Sequence, residues 1–341
     1  MDNLKASNLS DEPIKRGLVT RKTSAGYGVE SEGRLIACSL SSQLLYQMDK
    51  MQELSNSSRR KGRANVGPRS ADLAVVGDQV DFIEMEEGRG SIVSVLPRRS
   101  QLSRRSAVPM PSAQPFQQVI AANIDQVVAV FAAASPAPKW NLLDRYLVSA
   151  ESSELPTLIC ITKLDLARRA NGSSDQALEQ ALEIYRQIGY PVILTSAKTG
   201  IGLEELSQRL QGRLSVLLGK SGVGKTSLLN ALKPGLGLRV NEVSRIAGKG
   251  KHTTSHLEMF ALEGGGALLD TPGVREFGLW EVDGRDLAWF FPEMRPFVGQ
   301  CKFGLDCYHD EEPGCMVRQA VSSGLISPYR YKSYLRLRWE L

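Results

Sequence analysis

The sequence has no run of eighteen consecutive apolar residues, which excludes a typical membrane-spanning helix. Its first stretch, MDNLKASNLSDEP, lacks the apolar core of a signal peptide, and it does not resemble a transit peptide either. We therefore expect residues 1–13 to be a disordered tail. The composition, with 42% hydrophobic and 23% charged residues in 341, is typical of two or three globular domains. We expect a cytoplasmic monomer with no membrane partner.

Cysteine and histidine are scarce, with five and three copies, yet three cysteines and one histidine share the stretch CKFGLDCYHDEEPGC. In a cytoplasmic chain this clustering favours a metal site over disulfides. Three thiolates and one imidazole predict a closed, structural zinc site that holds together a segment too short to build its own core. Iron–sulfur ligation is the less favoured alternative. The predicted ligands are Cys301, Cys307, His309 and Cys315.

The net charge of +5 is mild, but the basic residues are clustered. RRKGR occupies 59–63, RRSQLSRR occupies 98–105, and four more cations lie between 330 and 338. A solvated surface explains any one cluster, whereas three together favour a polyanion such as nucleic acid. The loop at 59–70 and the C-terminal helix are the candidate RNA contacts. The candidate RNA-binding residues are Arg59, Arg60, Lys61 and Arg63.

Two architectures follow each other along the chain. Short apolar segments separated by turn residues predict an all-β barrel between 14 and 97. A five-stranded oligonucleotide-binding (OB) fold fits this pattern, and an SH3-like barrel fits it too. After the stretch RRSQLSRR, which we interpret as a linker, strands and helices alternate from DQVVAVFAA to KTSLLNAL. This alternation predicts a parallel sheet with helices on both faces, whose ligands bind at the carboxyl ends of the strands.

A phosphate-binding loop is predicted at 219–226, where GKSGVGKT follows an apolar strand and opens a helix. Its backbone N–H groups and the start of the helix favour phosphate, its lysine would contact the β and γ phosphates, and its threonine would bind Mg²⁺. The predicted phosphate-binding residues are Gly219, Lys220, Ser221, Gly222, Val223, Gly224, Lys225 and Thr226.

The stretch DTPG at 270–273 ends a second strand. Asp270 is placed to hold Mg²⁺ through water, and the Gly273 N–H is placed to sense the γ-phosphate. In the loop GKGKHTTSH we favour Thr254 over Thr253 as the residue that completes the magnesium shell.

The water-positioning glutamine that often follows such an aspartate loop is missing, because Val274 occupies its place. We therefore expect slow intrinsic hydrolysis that a partner accelerates. His252 is the candidate to orient the attacking water, and a surface histidine in a mobile loop is the alternative.

Two further stretches predict recognition of guanine. In TKLD at 162–165 the aspartate can accept from both N1–H and the 2-amino group, which adenine cannot offer as donors. SAK at 196–198 follows one strand and one helix later. The predicted base-binding residues are Thr162, Lys163, Leu164, Asp165, Ser196, Ala197 and Lys198. Since Thr162 offers one hydroxyl where the usual asparagine offers an amide, we expect a weaker hold on the nucleotide.

The order of these motifs is unusual, because the base motifs precede the phosphate loop. Moving 162–198 to the end would restore the common order, so the sequence predicts a circularly permuted GTPase. In this arrangement the loop that senses the γ-phosphate lies directly before the C-terminal module. A P-loop ATPase would require TKLD to be accidental.

The basic barrel, the permuted order, HTT at 252–254, DTPGVREFGLW and C-x5-C-x-H-x5-C together resemble the ribosome small-subunit-dependent GTPase A family (RsgA, also called YjeQ or YloQ). The resemblance covers nearly all of 14–341. It implies a GTPase that acts late in assembly of the small (30S) ribosomal subunit, binds 16S rRNA and couples hydrolysis to release. It assigns Thr162, Lys163 and Asp165 to the base, and the apolar residue at 274 also fits the family.

The division into domains that we expect is an OB-fold RNA-binding domain at 14–105, a permuted GTPase domain at 106–280 and a zinc-binding domain at 281–341. The expected partners are GTP and GDP, the 30S subunit and its 16S rRNA. The alternative is a regulatory GTPase whose barrel and zinc module bind a protein instead of rRNA.

Overall fold

The computed structural model describes residues 13–47, 50, 73–85, 88–105, 117–167, 176–238, 257–270 and 282–341. Within these ranges no helix is both long enough and apolar enough to cross a membrane. Several predicted site residues lie outside the described residues. They are Arg59, Arg60, Lys61, Arg63, His252, Thr253, Thr254, Gly273 and Val274.

The N-terminal part is a closed five-stranded barrel. β1 pairs antiparallel with both β2 and β4, and β3 runs parallel to β5. This closure, with helical residues 42–47 (α1) between β3 and β4, is the Greek-key arrangement of an OB fold, so it decides against the SH3-like alternative. Its strands are β1 (Ile14–Thr23), β2 (Gly26–Ser31), β3 (Arg34–Leu40), β4 (Gln79–Met85) and β5 (Arg89–Val95).

The barrel interior is filled by alternate side chains of its strands. Val19, Val29, Phe82 and Ile92 are fully buried in one apolar cluster. Because successive strand side chains point to opposite faces, the same strands present polar residues to solvent. The alternation that predicted an all-β barrel is therefore confirmed.

The central part contains a mostly parallel sheet in the order β10-β9-β8-β11-β13-β12, in which only β12 runs antiparallel to its neighbour among these six strands. Every residue of β8 and β9 is buried, as expected for central strands covered on both faces. Its strands are β8 (Gln126–Ala132), β9 (Thr157–Thr162), β10 (Val192–Leu194), β11 (Leu214–Leu218), β12 (Leu257–Ala261) and β13 (Ala267–Asp270). Its helices are α2 (Trp140–Ser152), α3 (Leu164–Ala167), α4 (Gln176–Ile188), α5 (Leu203–Leu210) and α6 (Lys225–Leu232).

The stretch interpreted as a linker is partly a strand. β6 (Gln101–Arg105) pairs antiparallel with β7 (Gln117–Ala122), and these two strands form a separate small sheet. The basic, polar composition of 98–105 did not predict a strand. The strand that pairs with β6 comes only after the intervening residues 106–116.

The barrel and the central sheet are continuous through backbone pairing. β1 lies antiparallel to β12, with Arg21 opposite Glu258 and Lys22 opposite Leu257. Arg21 also forms an ion pair with Glu258. The barrel is therefore joined edge to edge to the sheet that carries the predicted nucleotide site.

The C-terminal part is built from short 3₁₀ helices and two α-helices around its own apolar cluster, which includes Phe291, Met294 and Tyr334. The 3₁₀ helices are Leu287–Phe290, Arg295–Phe297 and Gly304–Asp306, and the α-helices are α7 (Met316–Ser322) and α8 (Pro328–Trp339). This fits the prediction of a small, helix-rich module.

One residue of the C-terminal basic cluster does not face solvent. The Arg330 side chain is fully buried and forms ion pairs with Asp144 of α2 (2.5 Å) and with Glu293 (2.7 Å). Buried charges persist when they are paired in this way. Counting Arg330 among cations available to a polyanion is therefore wrong.

Candidate functional site

The predicted loops converge at one edge of the central sheet. β9, β8, β11 and β13 are mutually parallel in this order, so their carboxyl ends meet there. TKLD follows β9, SAK follows β10, the phosphate loop follows β11 and Asp270 ends β13. An edge of this kind is where open α/β sheets bind ligands.

The phosphate loop connects β11 to α6 and depends on its glycines for shape. Gly222 and Gly224 adopt φ values of +82° and +104°, which residues with a Cβ rarely reach. A Cβ on Gly219 would lie 2.5 Å from the Val130 carbonyl oxygen, so this position has no room for a side chain. The backbone therefore curls closely enough for its N–H groups to face an anion at the start of α6.

Lys225 is held above this loop. Its Nζ donates to the carbonyl of Gly219 (2.6 Å) and to that of Lys220 (3.3 Å). Burial lowers the pKa of Lys225, and the carboxylate of Asp270 opposes this shift. Thr226 is buried beside it, and Asp270 lies opposite Leu217 in the β11–β13 pairing. An ammonium and a hydroxyl at the start of α6, with a carboxylate at the end of β13, suit a phosphate with a divalent cation.

Thr162 joins the base motif to the phosphate loop. Its hydroxyl is buried, donates to the Val223 carbonyl, and also lies 3.3 Å from the Phe131 carbonyl. A Cβ on Gly224 would approach the same hydroxyl oxygen to 3.2 Å. The short threonine side chain thus fills a narrow space between β9 and the loop.

Lys163 extends the same connection. It adopts a left-handed φ of +57°, and its Nζ donates to the carbonyls of Ser135 and Gly222 (2.6 Å to Gly222). An unusual backbone angle on a non-glycine residue persists only where surrounding contacts hold it. The aliphatic stem therefore runs across the mouth of the site, where it could lie against a base.

Asp165 is oriented by the next motif. Ser196 Oγ donates to Asp165 Oδ1 at 2.7 Å. Leu164 anchors the loop from below, because it is buried and its N–H donates to the Thr195 carbonyl at 3.1 Å. Ala197 is half-buried and Lys198 is exposed at the rim. TKLD and SAK therefore form one site, in which the hydrogen bond from Ser196 fixes the orientation of the Asp165 carboxylate.

A second site lies in the C-terminal module. The ligand atoms of Cys301, Cys307, His309 and Cys315 all lie within 4.8 Å of one another, and all four residues are buried. His309 Nδ1 is 3.4 Å from Cys301 Sγ and 3.5 Å from Cys315 Sγ, so Nδ1 faces the thiols. The cluster could hold a metal ion.

The surroundings of this cluster suit a bound cation. Burial raises the pKa of the Cys307 thiol to about 12, and the neighbouring Cys301 and Cys315 add to the shift. Burial also lowers the pKa of His309, which favours the neutral imidazole that metals bind. The backbone N–H groups of Met316 and Arg318 donate to the sulfurs of Cys301 and Cys315. These donors would stabilise thiolates around a metal.

Comparison with known proteins identifies the family. A family model described as RsgA GTPase matches residues 95–280, which is more than half of the chain. The chain belongs to the RsgA GTPase family. It is therefore a GTP phosphohydrolase, and the resemblance inferred from its motifs is confirmed.

Two relatives within the RsgA family illustrate the similarity. The small ribosomal subunit biogenesis GTPase RsgA of Pseudomonas aeruginosa is 45% identical over 260 residues, covering 76% of this chain and 74% of the relative. The protein of the same description from Gemmatimonas aurantiaca is 43% identical over 287 residues, covering 84% and 90%.

Solved structures agree with this RsgA assignment. The crystal structure of YjeQ from Thermotoga maritima superposes with a TM-score of 0.70 at 32% identity, covering 96% of this chain and 99% of that one. YloQ, described as a circularly permuted GTPase, gives 0.65 at 29% identity and covers 98% and 97%. The permuted fold predicted from the motif order is therefore confirmed.

Some contacts of the RsgA site were missed by sequence reasoning. The bond from Ser196 to Asp165 spans 31 positions and the bond from Thr162 to Val223 spans 61. The sequence assigned 196–198 to the base without a contact to Asp165, and for Thr162 it predicted only a weaker hold on the nucleotide than asparagine would give. The available signal for both contacts was that TKLD, SAK and the phosphate loop follow the carboxyl ends of strands in the same predicted sheet, which places them near one another.

Proposed function

We propose that this GTPase acts in late maturation of the small (30S) ribosomal subunit. The subunit would stimulate GTP hydrolysis, and hydrolysis would be coupled to release of the protein and of an assembly factor. Support comes from relatives named as small ribosomal subunit biogenesis GTPases at 43% to 45% identity. The observation that carries the nucleotide part is the Asp165 carboxylate, held by Ser196 beside a phosphate loop anchored by Thr162.

In this proposal the site residues divide the work on GTP. Asp165 reads N1–H and the 2-amino group of guanine, Lys163 lies against the base, and the SAK loop closes over it. The loop from Gly219 to Thr226 binds the phosphates, with Lys225 on the β and γ groups. Adenine would leave the half-buried Asp165 carboxylate without donors for its hydrogen bonds, which supports selection of guanine.

Two metal ions complete the proposal. Mg²⁺ supplies charge neutralisation at the β and γ phosphates, and the residues proposed to hold it are Thr226, Thr254 and Asp270 through water. The Cys₃His cluster is proposed to bind a structural Zn²⁺. Zinc–sulfur bonds of about 2.3 Å in a tetrahedron place sulfurs roughly 3.8 Å apart, and the Sγ atoms of Cys301 and Cys315 lie 3.9 Å apart.

The proposed division of labour assigns RNA contact to the OB barrel at 14–105, nucleotide chemistry to 106–280 and the zinc module to 281–341. His252 is the proposed orienter of the attacking water. Lys61 and its arginine neighbours in the barrel loop are proposed contacts to 16S rRNA. A barrel and zinc module that bind a protein partner form the alternative.

The deciding experiment measures GTP turnover of the full chain alone, with purified small subunits and with purified large subunits. We expect strong stimulation by the small subunit only. Equal rates in all three reactions would reject the proposed function. An rRNA contact should also weaken linearly with salt on a log–log plot of affinity, whereas a protein-mediated contact should have a shallow slope.

A further inference from the structure

A basic cleft of about 590 Å³ lies between α2 and α8, beside the phosphate loop. Four cations and one carboxylate line it. Lys139 and Arg145 come from the start and first turns of α2, Lys220 comes from the phosphate loop, and Arg336 and Glu340 come from α8 and its end. The cleft thus crosses the junction between the GTPase sheet and the C-terminal module.

Among the residues that the structure describes, the cations that line this cleft outnumber the carboxylates by four to one. Glu340 is shared by Arg145 and Arg336, with an N···O distance of 3.5 Å to Arg336. Lys139 and Lys220 are exposed, and the described part of the chain places no carboxylate within ion-pair distance of either. Two exposed ammonium groups, one at the start of α2 and one in the phosphate loop, therefore contribute to the cleft.

The walls of the cleft are held in a fixed relation to each other. Beneath it, the buried Arg330 of α8 pairs with Asp144 of α2 at 2.5 Å. At its side, Tyr329 Oη donates to Asn141 Oδ1 at 2.9 Å. A surface that is already ordered loses little conformational entropy when a ligand binds. The cleft is therefore a preformed site and not a chance meeting of two mobile surfaces.

We infer that this cleft binds the phosphodiester backbone of an RNA segment. Its lining carries four separate cations against one carboxylate, an excess of positive charge that matches a row of phosphates better than an uncharged helix or peptide. Arginine can grip phosphate with two parallel bonds, and lysine acts as a point charge. This inference rests on the proposed function. It narrows the RNA contact predicted for the C-terminal helix to one cleft shared with α2 and the phosphate loop, separate from the loop at 59–70.

The position of Lys220 gives this contact a consequence. The same residue lines the cleft and accepts a hydrogen bond at its carbonyl from Lys225, the lysine that is proposed to hold the phosphates. RNA in the cleft would therefore touch the loop that binds GTP. Lys220 would therefore connect binding of the subunit to the conformation of the phosphate loop.

The test compares two double variants of the full chain. Lys139→Ala with Arg336→Ala removes one cation from each wall of the cleft. Lys302→Ala with Arg209→Ala removes the same charge from exposed positions that lie outside both the cleft and the C-terminal helix. Affinity is measured for purified small subunits and for deproteinised 16S rRNA over a range of salt concentrations.

Loss of two phosphate contacts should lower affinity roughly tenfold near 0.15 M salt and reduce the log–log salt slope by about 1.5. The control pair should match the wild type in both measurements. Basal GTP turnover without subunits should stay unchanged in both variants, which shows that they are folded.

Other outcomes overturn the inference in separable ways. A cleft variant that binds like the control removes the cleft from the interface. A defect with whole subunits but none with deproteinised rRNA assigns the cleft to a protein partner and rejects the RNA contact. If the wild type fails to bind subunits, the proposed function fails, while the rRNA measurement still decides the cleft.

Discussion

At the scale of single residues, Thr162 stands where the guanine-binding motif usually has asparagine, and it still connects β9 to the phosphate loop. The hydroxyl donates to the Val223 carbonyl of the phosphate loop, so β9 and the loop are tied together by one short side chain. A threonine cannot supply the additional amide donor of asparagine. The hydrogen bond between β9 and the phosphate loop is present, and the lower nucleotide affinity expected from threonine stays a prediction.

Replacing Thr162 by valine tests the role of this hydroxyl. The change keeps the shape and leaves the Val223 carbonyl without its donor, which costs about 1 kcal/mol. GDP affinity measured by fluorescence titration should fall about fivefold, and Thr162→Asn should raise it above wild type. Thr157→Val, at the other end of β9, is the matched control. Wild-type affinity in Thr162→Val would show that the tie is dispensable.

Ser196→Ala tests the orientation of the base-reading carboxylate. Ser196 Oγ bonds Asp165 Oδ1 at 2.7 Å, and a hydrogen bond to a charged group contributes about 1.5 to 3 kcal/mol. GDP affinity should therefore drop at least roughly tenfold. Ser207→Ala on α5 provides a comparison of equal size away from the site. A variant that matches this comparison would mean that Asp165 holds its position without help.

At the scale of elements, the contact between α2 and α8 decides how the C-terminal module sits on the GTPase sheet. Arg330 is buried between Asp144 and Glu293, its guanidinium carbon lies 4.5 Å from the centre of the Phe291 ring, and Tyr185 Oη donates to Asp144 at 2.9 Å. Each charge in this network depends on the others, because an unpaired buried ion is costly.

Arg330→Met should loosen this contact strongly. Removing one partner of a buried pair typically costs about 3 to 5 kcal/mol, and here both Asp144 and Glu293 would lose their cation. We expect faster hydrogen exchange in α8 and a lower unfolding temperature of the C-terminal module. Lys332→Met, exposed on the same helix, should change neither quantity. Adding Asp144→Asn to Arg330→Met should cost less than the two single changes combined, and full additivity would contradict the coupling.

At the scale of the whole molecule, all five cysteines are buried and none is in a disulfide. Burial raises the pKa of Cys38 to about 11 and that of Cys160 to about 12. A raised pKa means that the folded protein holds the thiol proton more tightly than the unfolded chain does. The reactive thiolate is therefore rare near pH 8 and grows as the pH rises toward 11.

This leads to an ordered pattern of thiol alkylation at pH 8. In the metal-loaded protein none of the five thiols should react quickly. A zinc chelator should release three, Cys301, Cys307 and Cys315, because the segment that the metal holds together should open when the metal is lost. Denaturant should release the remaining two. Chelator already saturated with zinc serves as the control. Slow reaction of the C-terminal thiols in free chelator would argue against a metal in this cluster.

Much of the fold was predictable because its signals are local. Strand alternation marked the barrel, and alternating apolar strands and helices marked the permuted sheet. The β6 strand was not predictable, because its stretch is basic and finds its partner only after the intervening residues 106–116. The pairing of β1 with β12 was equally hidden, since it joins segments more than 200 positions apart through backbone groups that all sequences share.

The sequence by itself determined which chemical groups this protein has and in what order. Fixed spacings produced the phosphate loop, the base motifs and the Cys₃His cluster, because each depends on residues within one short stretch. Only the tertiary structure decided which groups act together. It joined Ser196 to Asp165 and Thr162 to the phosphate loop by hydrogen bonds, and it buried Arg330 in an ion pair with Asp144. Such contacts depend on how separate elements pack, and no local pattern encodes that packing.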